Sequence, residues 1–173
     1  MTDPTPLAAD TEQPPVTWAD LALTRPDLAS AGQDLLHQFG VGLAFIATVR
    51  PDGGPRVHPM CPLVHEGGLY GFLLPSPKRT DLIRDGRFSL HSFPTDDNED
   101  AFYLTGRARA IEAQDLRAAL VARYLEECPT LSLSPAGLDD QMVFEFHIAT
   151  CLLTRTSGHG DPTPTPTVWH AAT

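Results

Sequence analysis

Apolar residues recur at helical spacing in one early stretch, where Leu28, Ala31, Leu35, Leu36 and Phe39 form a stripe that Gly40 ends. Thr24-Arg25-Pro26 supplies the start, with proline in the first turn, where its missing N–H costs nothing. The spacing predicts one amphipathic helix of about three turns. From Val41 onward the sequence carries strand signals: Val41–Val49, Arg56–Val64 and Leu69–Leu74, separated by the turn sequences Pro51-Asp52-Gly53-Gly54 and Glu66-Gly67-Gly68. A short helix is predicted from Pro77 to Arg84, then a strand over Phe88–Phe93, an acidic loop over Thr95–Asp100 and a longer strand over Ala101–Ile111. Gln114–Glu127 reads as a helix with Leu116, Ala119, Leu120 and Tyr124 inward. Met142–Thr154 reads as a strand with Phe144, Phe146, Ile148 and Leu152 on one face. Strands outnumber helices and no alternation of strand and helix occurs, so the class is α+β with an antiparallel sheet or barrel.

The two ends change this picture. Residues 1–16 and 158–167 are rich in Pro, Thr and acidic residues and poor in apolar ones, so they are expected to be arms that cannot offset the entropy of ordering. The expected division is an N-terminal arm over 1–16, one domain over 17–157 and a Pro/Thr-rich tail over 158–173. Trp169 is the one large apolar anchor with which that tail could dock. Twenty-two acidic against twelve basic residues give a net charge of −10, which repels a phosphate backbone and argues against a nucleic-acid partner. Cys61, Cys128 and Cys151 have no ligand-like spacing, and an odd number is a poor disulfide framework, so a reducing compartment is expected. The N-terminal sequence has neither a basic nor an apolar leader region, and no apolar run approaches a membrane span. The expectation is a cytoplasmic protein without a membrane partner.

Candidate chemistry starts at Ser76-Pro77-Lys78-Arg79. Ser76 is placed as N-cap and Pro77 as the first helical residue, which sets Lys78 and Arg79 at the positive end of the helix dipole. A bound anion would relieve that conflict. The alternative is that both cations reach solvent or pair with Asp81, Asp85 or another acid. On the second strand, period two places Arg56, His58 and Met60 on one face and Val57, Pro59 and Cys61 on the other. Arg and His on one face need either a polar ligand or solvent, and Pro59 and Pro62 point to an edge or bulge. Gly106, inside the strand that also carries Tyr103, Arg107 and Arg109, marks a bulge or a close approach of another backbone. His147 reads as a surface or partner-facing residue. Zinc spacing, Gly-x-Ser-x-Gly, Gly-x-Gly-x-x-Gly and the Walker phosphate loop are all missing, while haem ligation by one of the seven histidines stays open.

Taken in order, Leu43–Val49, Arg50 to Pro59, Gly68-Leu69-Tyr70, Ser76-Pro77-Lys78-Arg79 with Leu82, Gly86 to Leu90 and Phe102 to Ala108 resemble the pyridoxamine-phosphate-oxidase-like family of FMN-binding split barrels, over about residues 17–157. The likeness is closer to the bacterial branch of that family than to the oxidases of pyridoxamine phosphate. The resemblance implies a six-stranded antiparallel split β-barrel with flanking helices, a homodimer with cofactor sites at the subunit interface, and FMN or an 8-hydroxy-5-deazaflavin held largely by phosphate. Carried onto matching positions, it implies that Arg56, Val57 and His58 lie along the flavin and that Ser76, Lys78 and Arg79 surround the phosphate. It further implies an oxidoreductase acting on a small molecule. Rivals are a deazaflavin-dependent reductase, whose cofactor asks for more cations, and a non-catalytic flavin-binding, haem-binding or sensor protein. The end GHGDPTPTPTVWHAAT, with no arginine after Arg155, departs from the oxidases of pyridoxamine phosphate themselves, so vitamin B6 oxidation is not expected.

Overall fold

A computed structural model describes residues 16–128 and 134–172. Two short helices come first, α1 (Trp18–Thr24) and α2 (Pro26–Leu36). Thr17 caps α1 in a reciprocal box with Asp20, and Pro26 opens α2. The strands are β1 (Ala44–Val49), β2 (Pro55–Met60), β3 (Pro62–His65), β4 (Gly68–Leu73), β5 (Arg87–Ser92), β6 (Ala101–Ala110), β7 (Met142–Arg155) and β8 (Thr165–His170). Helix α3 (Pro77–Arg84) joins β4 to β5, and α4 (Gln114–Glu127) lies between β6 and β7.

All eight strands form one antiparallel sheet in the order β2-β1-β5-β6-β7-β4-β3. β8 pairs with β7 off this path. Long β7 gives its whole length to β6 on one side, while its other side is shared by β4 near Met142–Glu145 and by β8 over Thr150–Arg155. The two ends of the path, β2 and β3, are consecutive in the chain and meet at Cys61. The sheet therefore curls back on itself, and its seam is a chain connection rather than a hydrogen-bonded ladder.

Among the described residues eight strands replace the expected six, for two physical reasons. The segment read as one strand over Arg56–Val64 is broken at Cys61, between Pro59 and Pro62, because proline cannot donate to a ladder. The tail read as an arm carries β8, in which Trp169 sits opposite Cys151 and packs partly buried against the core. The predicted helix is α2, which opens at Pro26 and stops at Leu36 with Phe39 half exposed; the run from Trp18 to Thr24 adds α1 before it.

Gly106 stands where the ladder between β6 and β7 shifts register; a Cβ there would lie 1.8 Å from the His147 carbonyl oxygen. The expected bulge is present, and it has a consequence for β7. Gly106 faces Ile148 and Thr105 faces Thr150, so Ala149 is the extra residue. Beyond it Cys151 and Leu153 turn inward and Leu152 is only half-buried, whereas strict alternation predicts Leu152 inside. The turn between β3 and β4 has positive φ at both Glu66 (44°) and Gly67 (81°), the backbone that suits a tight two-residue hairpin.

The core has two parts. The larger fills the barrel and is closed by α1 and α2, with Trp18 edge-on to Phe102 at 6.0 Å and Leu28, Leu36, Ile46, Leu90, Leu104 and Phe146 fully enclosed. The smaller lies outside the sheet beneath α4, where Leu120, Tyr124 and Cys128 cover Leu63, Tyr70, Phe72 and Val143. β4 is buried on both faces because it separates the two.

Candidate functional site

The seam determines where a ligand can enter. β2 presents Arg56, His58 and Met60 toward the molecule and Pro55, Val57 and Pro59 away from it, as period two demands. Across the seam β4 ends at Leu73, and Leu74-Pro75 leads into α3. Between these edges lies a cleft of about 480 Å³, within the usual range for small-molecule sites. His58, Ser76 and Lys78 line it together with Met60, Cys61, Phe72, Tyr124 and Gln141.

Ser76 is the N-cap of α3, with an extended backbone; its hydroxyl accepts from the Arg79 amide and donates to the Leu74 carbonyl at 2.9 Å. Lys78 reaches back across the seam, and its Nζ donates to the Pro59 carbonyl at 2.8 Å. Burial lowers the Lys78 ammonium from its usual range. Among the described residues it has no carboxylate partner. Arg79 turns elsewhere, donating from Nη1 to the Asp140 carbonyl at 3.0 Å. The His58 ring makes no hydrogen bond among the described residues, while its backbone stands opposite Ile46 in the β1–β2 ladder.

Arg56 is not free in the same way. Its Nε donates to Asp81 Oδ2 at 2.8 Å, Thr48 Oγ1 donates to the same oxygen at 2.9 Å, and Arg84 stands 3.7 Å from Oδ1. Asp81 is 3% exposed. Burial alone would raise its carboxyl, but Arg56 and Thr48 outweigh it and hold the group below its ordinary value. Of the six residues expected around a cofactor, three therefore line the cleft: His58, Ser76 and Lys78. Arg56 is engaged with a buried acid, Arg79 lies on the Asp140 side, and Val57 points outward, 59% exposed.

Sequence reasoning missed the cleft floor. Phe72 and Tyr124 pack ring to ring at 4.8 Å, and burial raises the Tyr124 hydroxyl, helped by the neighbouring thiols of Cys61 and Cys128. The inward placement of Tyr124 was legible from its helical spacing; that its ring also borders a cleft was not, because this depends on which strand α4 covers. Other candidates resolve as structural. Arg107 donates to the Asp85 carbonyl and His147 pairs with Glu145 at 3.0 Å.

On its outer face the sheet carries the stacked rings of Phe45 and Phe93, 4.0 Å apart, with His91 edge-on to Tyr103 nearby. Neither core cluster covers these residues.

An antiparallel sheet curled to a seam, with a cation-rimmed cleft beside it, defines a split-barrel protein. Residues 33–155 match the family model of Pyridoxamine 5'-phosphate oxidase, and the chain belongs to that family. Solved structures share the fold. A protein of the pyridoxinephosphate oxidase family related to general stress protein 26, from Clostridium acetobutylicum, has a TM-score of 0.56 at 15% identity, covering 88% of this chain and 95% of its own. A haem-binding protein from Mycobacterium smegmatis has a TM-score of 0.59 at 18% identity, covering 80% of this chain and 57% of its own. The haem storage protein HutZ from Vibrio cholerae has a TM-score of 0.57 at 15% identity, covering 72% and 89%. Among curated proteins, none matches the sequence. No helix among the described residues is long and apolar enough to cross a membrane.

Proposed function

We propose that this chain is an FMN-binding oxidoreductase that works as a cytoplasmic homodimer on a small-molecule substrate. The observation that carries the reading is Lys78: a half-buried ammonium at the start of α3, bonded to a carbonyl and, among the described residues, to no acid, beside the Ser76 hydroxyl and a cleft of flavin-like size. A phosphate at that position gains the ammonium, the hydroxyl and the positive end of the helix. When bound, FMN would supply the electron transfer, for which no protein nucleophile is needed. Phe72 and Tyr124 would shield one side from water, and His58 would border the ring with both nitrogens available. Arg79 would join the phosphate by leaving the Asp140 carbonyl, a weak partner for a guanidinium. Val57, on the outer face, would contribute from a subunit interface, and the partly exposed aromatics Phe45, Phe93 and Tyr103 on the same side of the sheet would join it. A deazaflavin's longer acidic tail asks for further cations, and Arg56 is already held by Asp81.

The second reading is haem binding, favoured by the unbonded ring of His58 in the cleft and by the two haem proteins among the structural neighbours. Purified protein is expected to be yellow or to take up FMN on titration, with heat releasing FMN identified by mass spectrometry. A haem spectrum, or a colourless protein that ignores FMN, overturns the first reading. Light scattering is expected to give twice the chain mass; a monomer at micromolar concentration removes the shared site.

A further inference from the structure

Lys78 is the single lysine of the chain; the rest of its twelve lysines and arginines are arginine. Everywhere else that this protein carries a cation it uses a guanidinium, which forks onto carboxylate and phosphate and does not give up its proton. An amine adds what arginine lacks, a nitrogen lone pair once the proton has gone. The surroundings of Nζ favour that state. Its partner is the Pro59 carbonyl at 2.8 Å, and a carbonyl accepts an N–H from a neutral amine as well as from an ammonium. The bond therefore holds the nitrogen in place without committing it to its charge, as a carboxylate would. Among the described residues no Asp or Glu lines the cleft, and burial lowers the amine from its usual range. Met60, Phe72, Leu74 and Pro75 give the cleft apolar walls, and the Tyr124 ring lies tilted by 37° against Phe72.

We propose that Lys78 captures aldehydes: its amine forms an imine with a small aromatic aldehyde, uncharged or anionic, whose ring lies against Phe72 and Tyr124. The aromatic body follows from a floor made of two rings, and the charge from a cleft with a cation at its rim and no acid on its described walls. Neutral Nζ attacks the carbonyl carbon; the C–N bond forms, the π pair of the C=O bond moves to oxygen, and a proton passes from nitrogen to that oxygen. The C–O bond of the resulting carbinolamine then breaks, the nitrogen lone pair closes the C=N bond, and the hydroxyl leaves with the second nitrogen proton as water. One amine and one aldehyde thus become one imine and one water, with nothing oxidised or reduced and no further reactant.

The capture does not rest on the cofactor reading, and its test uses the full chain, dialysed until its visible spectrum is flat and with no FMN added. The protein is treated with 4-carboxybenzaldehyde over a range of concentrations together with sodium cyanoborohydride, which reduces an imine to a stable secondary amine, and is then digested and mapped by mass spectrometry. The adduct is expected on the peptide that carries Lys78, at a rate that levels off as the aldehyde concentration rises. At low aldehyde that rate is expected to be at least about tenfold above the rate for the same chain unfolded in urea, because the cleft holds the ring before the amine attacks. The amino terminus, the other amine of the chain, serves as the reference in both samples. An adduct on the amino terminus alone, or a Lys78 rate that stays proportional to aldehyde and equals the rate in urea, would overturn the proposal. The parent chain decides the matter, so no variant has to fold.

Discussion

The two ends of α3 hold similar charges in opposite situations. At its C-terminal end three cations meet acids: Arg84 lies near Asp81 and Asp85, Arg87 binds Asp85 through two nitrogens, and Arg56 from β2 joins them on Asp81, while Arg107 reaches the Asp85 carbonyl. At its N-terminal end Lys78 and Arg79 find, among the described residues, the carbonyls of Pro59 and Asp140 and no carboxylate. The first cluster is closed, its charges spent on holding β2, α3 and β5 together. The second is open, and its cations sit where the helix dipole is least hospitable to them. Cationic residues between Arg56 and Arg87 thus separate into scaffold and site by whether a carboxylate answers them.

The largest test of this contrast is Asp81→Ala. Removing the acid strands Arg56, and breaking a buried pair costs about 3 kcal/mol when one partner keeps some solvent. At about 2–4 °C per kcal/mol for a chain of this size, the thermal midpoint is expected to fall by roughly 6–12 °C. An unchanged midpoint would erase the distinction between the ends. Next in size is the double change of Lys78 and Arg79 to Ala. FMN affinity is expected to drop at least tenfold, about 1.4 kcal/mol, with little change in the thermal midpoint. Riboflavin, lacking the phosphate, is expected to lose much less. If stability falls instead and FMN binding holds, both ends of α3 are scaffold.

The smallest effect is read from pH. Hydrogen bonds from Arg87 hold the Asp85 carboxyl at about 2, below its ordinary value of 3.8. Its folded-state value is depressed, so its contribution is complete above the unfolded value and disappears as pH falls from about 4 to 2. Denaturant melts of Asp85→Asn are expected to show a shallower loss of stability across that window than the parent. An unaltered acid limb would mean that the pair with Arg87, itself largely exposed, adds nothing measurable.

Much of this organisation was legible in the residues. The turn sequences, the helix start at Ser76-Pro77 and the bulge at Gly106 each follow from local backbone rules, and each stands where those rules put it. What local rules cannot deliver is partnership over distance. Arg56 and Asp81 are 25 positions apart, and Asp81 and Asp85, the acids within reach of Lys78 and Arg79 in sequence, serve Arg56 and Arg87 instead. β8 was hidden because its composition resembles a solvated arm, although Thr165, Thr167 and Trp169 alternate with residues facing away. Tyr124 and Cys61 join the cleft only because the curl of the sheet brings α4 to the seam.

That curl also dictates when the molecule can form during synthesis. Both β4 and β6 await β7, which emerges from the ribosome only after α4 has been made. Until Met142–Arg155 is available, the hairpin of β3 with β4 and the meander of β1, β2, β5 and β6 are separate pieces with open hydrogen-bonding edges. Pairings of such long sequence separation are slow to form, and they leave the nascent chain exposed to wrong partners for the longest interval. The strand that joins the two halves of the sheet is therefore also the step on which productive folding waits.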